Sequence, residues 1–328
     1  MSTTVARTEA AVDEDRSRRR PASRRRPASR RRPASRRRSV RRAEHRWGLL
    51  LAAPATLHTL LWIGAPILVA IILSFTAYDI IHPAEFIGLR NYATIFTDEL
   101  FWRSVLHNVV IAAIGIPISM FLALVFAVLL NRSLPGQGIF RVMVFLPHIT
   151  ATVAVAMIWL WIYNPSQSGL MNIVLGTLGI GPFPFLTDPD LALGAVILVT
   201  IWQGIGLKML IYLAALQGLD AQLYEAADLD GASFVQKFFR ITVPMLRPAT
   251  FFILITSLIA NFQTFDLIYI LTEGGPANST SVVTYRIYQT AFQEFRVGLA
   301  NAQSVILLLI LIVFAFLSRR IVGGTDGD

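Results

Sequence analysis

Six stretches of the chain are free, or nearly free, of Asp, Glu, Lys and Arg over the roughly 20 residues that a bilayer crossing requires. Residues 47–78 form the first and predict a helix near 49–75. Residues 104–131, bracketed by Arg103 and Arg132, form the second. The third runs from 142 to 163, where Asn164-Pro165 ends it. The fourth covers 191–216 with Lys208 as its one charge, and the fifth covers 249–271 with Asp266 inside it. The sixth is 297–318, between Arg296 and Arg319. The predicted fold class is all-α, a polytopic membrane helical bundle with six transmembrane helices over residues 47–320.

Composition agrees with this pattern. Of 328 residues, 55% are hydrophobic and 15% are charged, against about 25% charged in a soluble globular chain. Cysteine is absent, which excludes disulfide scaffolds, thiolate metal centres and cysteine nucleophiles. The net charge of +9 divides unevenly. Residues 1–46 carry 17 Arg against Glu9, Asp13, Glu14, Asp15 and Glu44, a balance of +12, and the remaining 12 basic and 15 acidic residues give −3. SRRRPA repeats at 17–22, 23–28 and 29–34. Such a segment has almost no apolar surface to bury, so 1–46 is expected to be a disordered cytoplasmic tail.

The tail also sets the sidedness. Basic residues favour the inside, and with the tail inside, six crossings return Arg319, Arg320 and the short C-terminal tail, 321–328, to the cytoplasm. The expected location is a bacterial-type cell membrane, multi-pass, with both termini cytoplasmic. No aromatic residue is interleaved among the arginines to stack bases, so no nucleic acid is expected as a partner, whereas the lipid bilayer is.

Catalytic and metal motifs are missing. The five histidines (His45, His58, His82, His107 and His148) occur singly, with no HExxH pair, so no metal site is expected, and His58 and His107 read as packing positions. There is no GxSxG elbow for a nucleophile. The Gly-Lys dipeptide of a phosphate-binding loop never occurs. No catalytic residue and no cofactor is expected in this chain, and any ATP hydrolysis belongs to another.

The inside loop 217–248 is the most informative segment. Leu223, Ala226, Ala227 and Asp230 share one side of a first short helix, with Glu225 and Asp228 beside them. Gly231 permits a turn with positive φ, and Ser233 can cap a second helix over 233–241. Phe234, Phe238 and Ile241 recur at i, i+4 and i+7 as an apolar stripe, and Pro244 is expected to end that helix. Two short helices joined by a glycine can seat in a partner's groove. The same pattern also fits a connection packed against the bundle ends.

Glu225-Ala226-Ala227, Gly231 and Ile241-Thr242-Val243-Pro244 stand at the spacing EAA-x3-G-x9-I-x-L-P, with Val243 as the one departure. This resembles the EAA coupling loop of ABC importer permeases. Phe86-Ile87-Gly88-Leu89-Arg90-Asn91-Tyr92 resembles the FxGLxNY segment, and the stretch from Phe265 through Thr272-Glu273-Gly274-Gly275-Pro276 resembles the FDxIYxLTxGGP stretch of the carbohydrate-uptake branch, in the maltose- and glycerol-3-phosphate-type first permease subunit. The resemblance implies a permease without enzymatic chemistry, paired with a second, different permease subunit. It also implies an ATPase subunit pair holding ATP-Mg and an extracytoplasmic solute-binding protein that delivers a sugar or sugar-like solute. Glu225, Ala226, Ala227, Asp230 and Gly231 would then couple to the ATPase, while Phe234, Phe238 and Pro244 would hold the loop on its own subunit.

A substrate path can be read on the fourth and fifth stretches. Ser257, Ala260, Asn261 and Thr264 follow i, i+3, i+4, i+7, and a polar stripe in a membrane helix faces protein or water. Helix–helix hydrogen bonding would use the same residues. The resemblance to the maltose-type subunit, aligned through Trp202 and the Phe265–Pro276 stretch, adds Thr200, Gln203, Gly204 and Leu207. Leu207 falls where an aromatic would stack on a sugar ring. Gln203 beside the bare backbone of Gly204 reads as a place where solute can approach.

Two other readings compete with an importer subunit. A stand-alone secondary transporter would carry inverted repeats and buried coupling carboxylates, for which only Asp266 offers itself. A membrane-anchored protein acting through its Arg-rich tail on nucleic acid or anionic lipid would lose its function on deletion of residues 1–40. The importer reading predicts that assembly and solute uptake, measured in membranes, survive that deletion.

Overall fold

The computed structural model of the chain describes residues 48, 51–131, 135–166 and 168–322. The expected tail, 1–46, and residues 323–328 of the expected C-terminal tail lie outside the described residues, as does Arg132. The chain divides into two units, Met1–Ile63 and Gly64–Asp328. In the first, residues 51–63 are helical, and every one of them is exposed. An apolar helix exposed on all faces is suited to hydrocarbon, where its backbone bonds are satisfied internally.

The second unit opens with α1 (Ala65–Leu73), a short antiparallel ribbon of β1 (Thr76–Ala77) and β2 (Glu85–Phe86), and α2 (Arg90–Thr97). The long α3 (Glu99–Leu130) follows, then α4 (Gln137–Ile149), α5 (Thr152–Ile162), α6 (Leu170–Thr177) and the long α7 (Pro189–Gln217). The rest comprises α8 (Ala221–Leu229), α9 (Phe234–Met245), α10 (Arg247–Phe262), α11 (Asp266–Leu271), α12 (Val283–Tyr288) and α13 (Val297–Val322). The two long helices begin on conventional caps. Asp98 accepts from the amides of Leu100 and Phe101, and Asp188 accepts from that of Asp190 with Pro189 in the first turn.

Among the described residues, four helices are long and apolar enough to cross a membrane: Leu51–Leu73, α3, α7 and Val297–Phe316 within α13. Two bent pairs, α4 with α5 and α9 with α10, raise the number to as many as six if each pair is one crossing. The third expected stretch is therefore not one straight helix. Its halves meet at 97°. Pro147 has no N–H to bond back to the preceding turn, and Thr150 and Ala151 then adopt extended backbone, with ψ of 136° and 130°.

The fifth expected stretch is also interrupted. It stops as a helix at Phe262, and Asp266 begins the separate α11. Nothing in the local sequence is a strong breaker here; long-range bonds take its place. The Asn261 carbonyl accepts from Asn108 Nδ2 at 3.0 Å, and the Thr264 carbonyl accepts from the Thr284 hydroxyl, so neither carbonyl has to propagate the helix. A third difference concerns Pro244, which lies inside α9 rather than ending it. The π-type turn Phe238–Thr242 bonds the Val243 amide to the Phe238 carbonyl, and this wider spacing accommodates a proline. The helix ends one residue later, at Met245, and α9 and α10 meet at 60° around the buried Leu246.

The core of this unit lies between α3 and α7. Small side chains of α3 (Ala112, Gly115, Ser119, Ala123 and Ala127) are buried along one seam, which lets helices approach closely without relying on water to drive them together. One cluster joins Ala123 and Ala127 to Met209, Tyr212 and Leu213 of α7 and to Ile253 of α10. Another joins Val155 and Trp159 of α5 to Val196 and Val199 of α7 and Leu267 of α11. α4 and α7 also approach closely. A Cβ placed on Gly206 would stand 2.6 Å from the Val144 carbonyl oxygen and 2.8 Å from Phe145 Cα.

Those neighbours are backbone atoms and cannot rotate away. Gly206→Val is expected to destabilise the fold by about 1–3 kcal/mol, read as a lower unfolding temperature in detergent. Gly194→Val, on the same helix with open space around its Cα, is the control, expected to stay within about 0.5 kcal/mol. Equal stability of the two variants would refute the close crossing.

Candidate functional site

Two helices present polar positions to a common space. On α7 the 3–4 residue spacing brings Thr200, Gln203, Gly204, Leu207 and Lys208 to one side, and on α10 the same spacing aligns Ser257, Ala260 and Asn261. Between them lies a cavity of about 420 Å³, within the size range of small-molecule sites. All eight residues read from the sequence as a substrate path border it: Thr200, Gln203, Gly204, Leu207, Ser257, Ala260, Asn261 and Thr264. Thr264 stands just beyond the end of α10 rather than on it. The structure adds Gly115 and Ser119 of α3, His148 of α4, Thr152 of α5 and Asp266 of α11 to the lining.

Hydrogen bonding sorts these groups. Thr200 donates to the Ile197 carbonyl at 2.8 Å and Thr264 to that of Ala260 at 3.1 Å, so each hydroxyl proton is engaged by its own helix and the oxygen remains as an acceptor. Asn261 is held through its backbone by Asn108, while its side-chain Oδ1 is buried without a hydrogen-bond partner. Leu207 is 41% exposed and gives the wall an apolar element.

One sequence reading changes here. The space beside Gly204 is not open to solute, because Lys208 Nζ lies 2.7 Å from where a Cβ at 204 would stand. Lys208 forms none of the ion pairs found among the described residues. Asp266 forms none either and is exposed at the cavity edge. His107 is a packing position as read, with Nδ1 2.7 Å from the Ser281 carbonyl.

Asn108 is the residue that sequence reading missed. It is fully buried, donates to Asn261 and accepts from the Val283 amide at 2.9 Å. The available signal was a carboxamide near the start of an apolar stretch, where polar side chains face the protein interior.

The second feature is the elbow formed by α8 and α9. Asp220 caps α8 by accepting from the Gln222 amide. Gly231, at φ +71°, ends that helix. The Ala232 amide bonds to the Ala227 carbonyl at 2.9 Å and the Gly231 amide to that of Asp228 at 3.1 Å, the paired bonds of a Schellman motif. Ser233 then caps α9 in a reciprocal capping box with Gln236. Lys237 pairs with Asp228 across the bend, and the Tyr224 and Thr242 hydroxyls meet at 2.8 Å. The elbow is thus closed by bonds at every step.

Its surface is unusually apolar. Leu229 at the tip is 90% exposed, and Glu225, Ala226, Asp230 and Gly231 are exposed around it, with Ala227 half-buried. The stripe expected to hold the loop on its own subunit divides. Phe238, Ile241 and Pro244 are half-buried, whereas Phe234 is 56% exposed. It stands at the first position of α9, before the turn that carries the others inward.

Residues 99–324 match the family model described as the binding-protein-dependent transport system inner membrane component. The chain belongs to this family. The permease is 33% identical over 279 residues to the sn-glycerol-3-phosphate transport system permease protein UgpA of Agrobacterium fabrum, covering 83% of this chain and 94% of that one. It is 35% identical over 286 residues to the lactose transport system permease protein LacF of Rhizobium radiobacter, covering 85% and 95%. Among solved structures, a chain of a bacterial ABC transporter involved in the import of the acidic polysaccharide alginate matches with a TM-score of 0.71 and 27% identity, over 87% of this chain and 98% of that one.

Within the permease, the two family-like segments outside the elbow act as braces. Asn91 donates to the carbonyls of Ser74 and Thr76, both at 2.9 Å, and Tyr92 meets the Ser74 hydroxyl at 2.7 Å. Gly274, at φ +74°, lies so close to Tyr285 that a Cβ would stand 2.7 Å from its ring.

Removing the Asn108 side chain leaves the Val283 amide without its partner, while the Asn261 carbonyl keeps the Thr264 amide at 3.2 Å. Asn108→Ala is expected to lower stability by about 1–3 kcal/mol, the cost of the one amide left unpaired. Ser119→Ala, whose buried hydroxyl bonds only within its own helix to Ile116, is expected to change it by less than about 1 kcal/mol. Thermal unfolding of the two purified variants checks the difference.

Proposed function

We propose that this permease forms half of the translocation path of an ABC importer for a saccharide or saccharide-like solute. It pairs with a second, different permease subunit and receives its solute from an extracytoplasmic binding protein. Each bent helix pair counts as one crossing, which makes six, with both termini cytoplasmic. The names of the relatives, which handle sn-glycerol 3-phosphate and lactose, support the solute class. So does a cavity whose polar groups are carboxamides and hydroxyls, suited to sugar hydroxyls.

One observation carries the mechanism. The two helices that supply seven of the eight path residues, α7 and α10, are the two that the elbow joins, and the eighth, Thr264, stands just past the end of α10. A partner that grips the elbow therefore acts on both cavity walls through the covalent chain. The elbow is the EAA coupling loop, 217–248, and the partner is a pair of ATPase subunits that holds ATP-Mg. Glu225 reaches a basic group on the ATPase, the small side chains of Ala226 and Ala227 allow close seating, and Leu229 enters an apolar groove. With its ends capped and its bend tied, the elbow transmits a displacement instead of absorbing it, and rigid-body rocking of α7 against α10 follows.

Proline at 231 would force φ to about −65° and break the Schellman bonds. Gly231→Pro and Glu225→Lys are both expected to leave the complex in the membrane and to abolish solute-stimulated ATP hydrolysis. Gly231→Asn, which tolerates positive φ, is expected to retain it. Normal stimulation in the proline or lysine variant would reject the coupling role.

A further inference from the structure

A charged side chain within a membrane-crossing helix has to be matched by something, and for Lys208 none of the described acidic side chains is that match. Among the described residues its ammonium enters no ion pair. It stands on the cavity wall. Its direction is informative. Lys208 is nine residues from the end of α7 at Gln217 and nineteen from the start at Pro189, about 14 Å and about 28 Å along the axis. A snorkelling lysine would extend toward the nearer end. Lys208 instead follows the ordinary N-terminal lean of a helical side chain and lies over Gly204, where the absent side chain leaves room for Nζ. The glycine is a slot that holds the ammonium inside the cavity.

The other titratable groups around the cavity leave this charge unanswered. His148 is close enough to Lys208 to interact with its charge, and its ring meets the Gln203 backbone, but an imidazole brings no negative charge. Asp266 borders the cavity from α11 without pairing with Lys208. Beside the ammonium stand Gln203 and Thr200, and across from it Ser257 and Asn261, groups that suit hydroxyls. The arrangement is one cation followed by a row of neutral donors and acceptors.

We infer that Lys208 is the counter-ion for an acidic group on the transported solute, a carboxylate, phosphate or sulfonate carried by a saccharide whose hydroxyls meet the α10 face. This rests on the saccharide reading above and narrows it to acidic saccharides. A charge-assisted contact in a low-dielectric wall is stronger than a neutral one. It would also discriminate, because a neutral solute leaves the half-buried cation unpaired.

The test uses the complete importer in proteoliposomes with its solute-binding protein. Glucuronate, glucose 6-phosphate and 6-sulfonated glucose, as monosaccharides and as termini of disaccharides, are each compared with the neutral glucose parent for stimulation of ATP hydrolysis and for uptake. An acidic member is expected to stimulate at least tenfold more than its parent. Lys208→Gln is expected to remove most of that stimulation, and Lys208→Arg to keep it. Equal stimulation by the neutral parent, or full stimulation by the acidic one in Lys208→Gln, overturns the inference while leaving the saccharide reading in place. Failure of every saccharide, neutral and acidic, rejects both. If Lys208→Gln dissociates the complex without solute and Lys208→Arg restores it, the ammonium pairs with the second permease subunit, and the inference is again overturned.

Discussion

In hydrocarbon no water is available to satisfy a freed peptide group, so a membrane helix can stop short only where the protein supplies the missing partners. The organisation of this permease depends on one such place. The α10 helix ends at Phe262, and its exposed carbonyl at Asn261 is taken up by Asn108 of α3. The same carboxamide accepts from the Val283 amide at the start of α12, while Thr284 serves the Thr264 carbonyl. One buried side chain thus ties three segments together and makes a break in α10 tolerable. The cavity opens beside that break, with Thr264 and Asp266 on its border. Had the fifth stretch continued as an unbroken helix to Leu271, these groups would lie on a helix face.

Mechanical continuity follows from the order of the elements. The cavity walls α7 and α10 are separated in the chain only by the elbow, and the elbow has few soft points. Its glycine is locked by two backbone bonds, its second helix by a capping box, and its two arms by an ion pair and a hydroxyl contact. Small residues do the complementary work inside the bundle. The buried seam of α3 and the crossing at Gly206 bring backbones close, so that movement of one helix is felt by its neighbour. The exposed apolar tip at Leu229 is the counterpart of this stiffness, a surface with more to bury than a solvated loop would leave outside.

Glycine has distinct roles at positions that look alike in the sequence. At 231 it supplies positive φ, at 206 a close crossing, and at 204 a slot for a lysine. The third could not be inferred from spacing, because a glycine next to a glutamine suggests access for solute equally well. Only the path of the Lys208 side chain separates the two.

The amino-acid sequence by itself determined the apolar stretches, the glycine-centred elbow with its Ser233 cap, and the helix faces that carry Thr200, Gln203, Ser257 and Asn261. Those features arise from interactions within a turn or two of chain, which periodicity and capping residues report directly. Even Gly231 was legible, because the αL conformation it adopts is a local preference. What only the tertiary structure decided was the 97° bend between α4 and α5, the early end of α10, the place of Pro244 inside a helix, the exposure of Phe234 and the direction of Lys208. The bonds that end α10 join residues 153 and 20 positions apart, and the one that anchors α12 spans 175. Whether a carbonyl continues its own helix or turns to a distant side chain depends on which partner reaches it at the lower free energy, and that comparison exists only once the segments are packed.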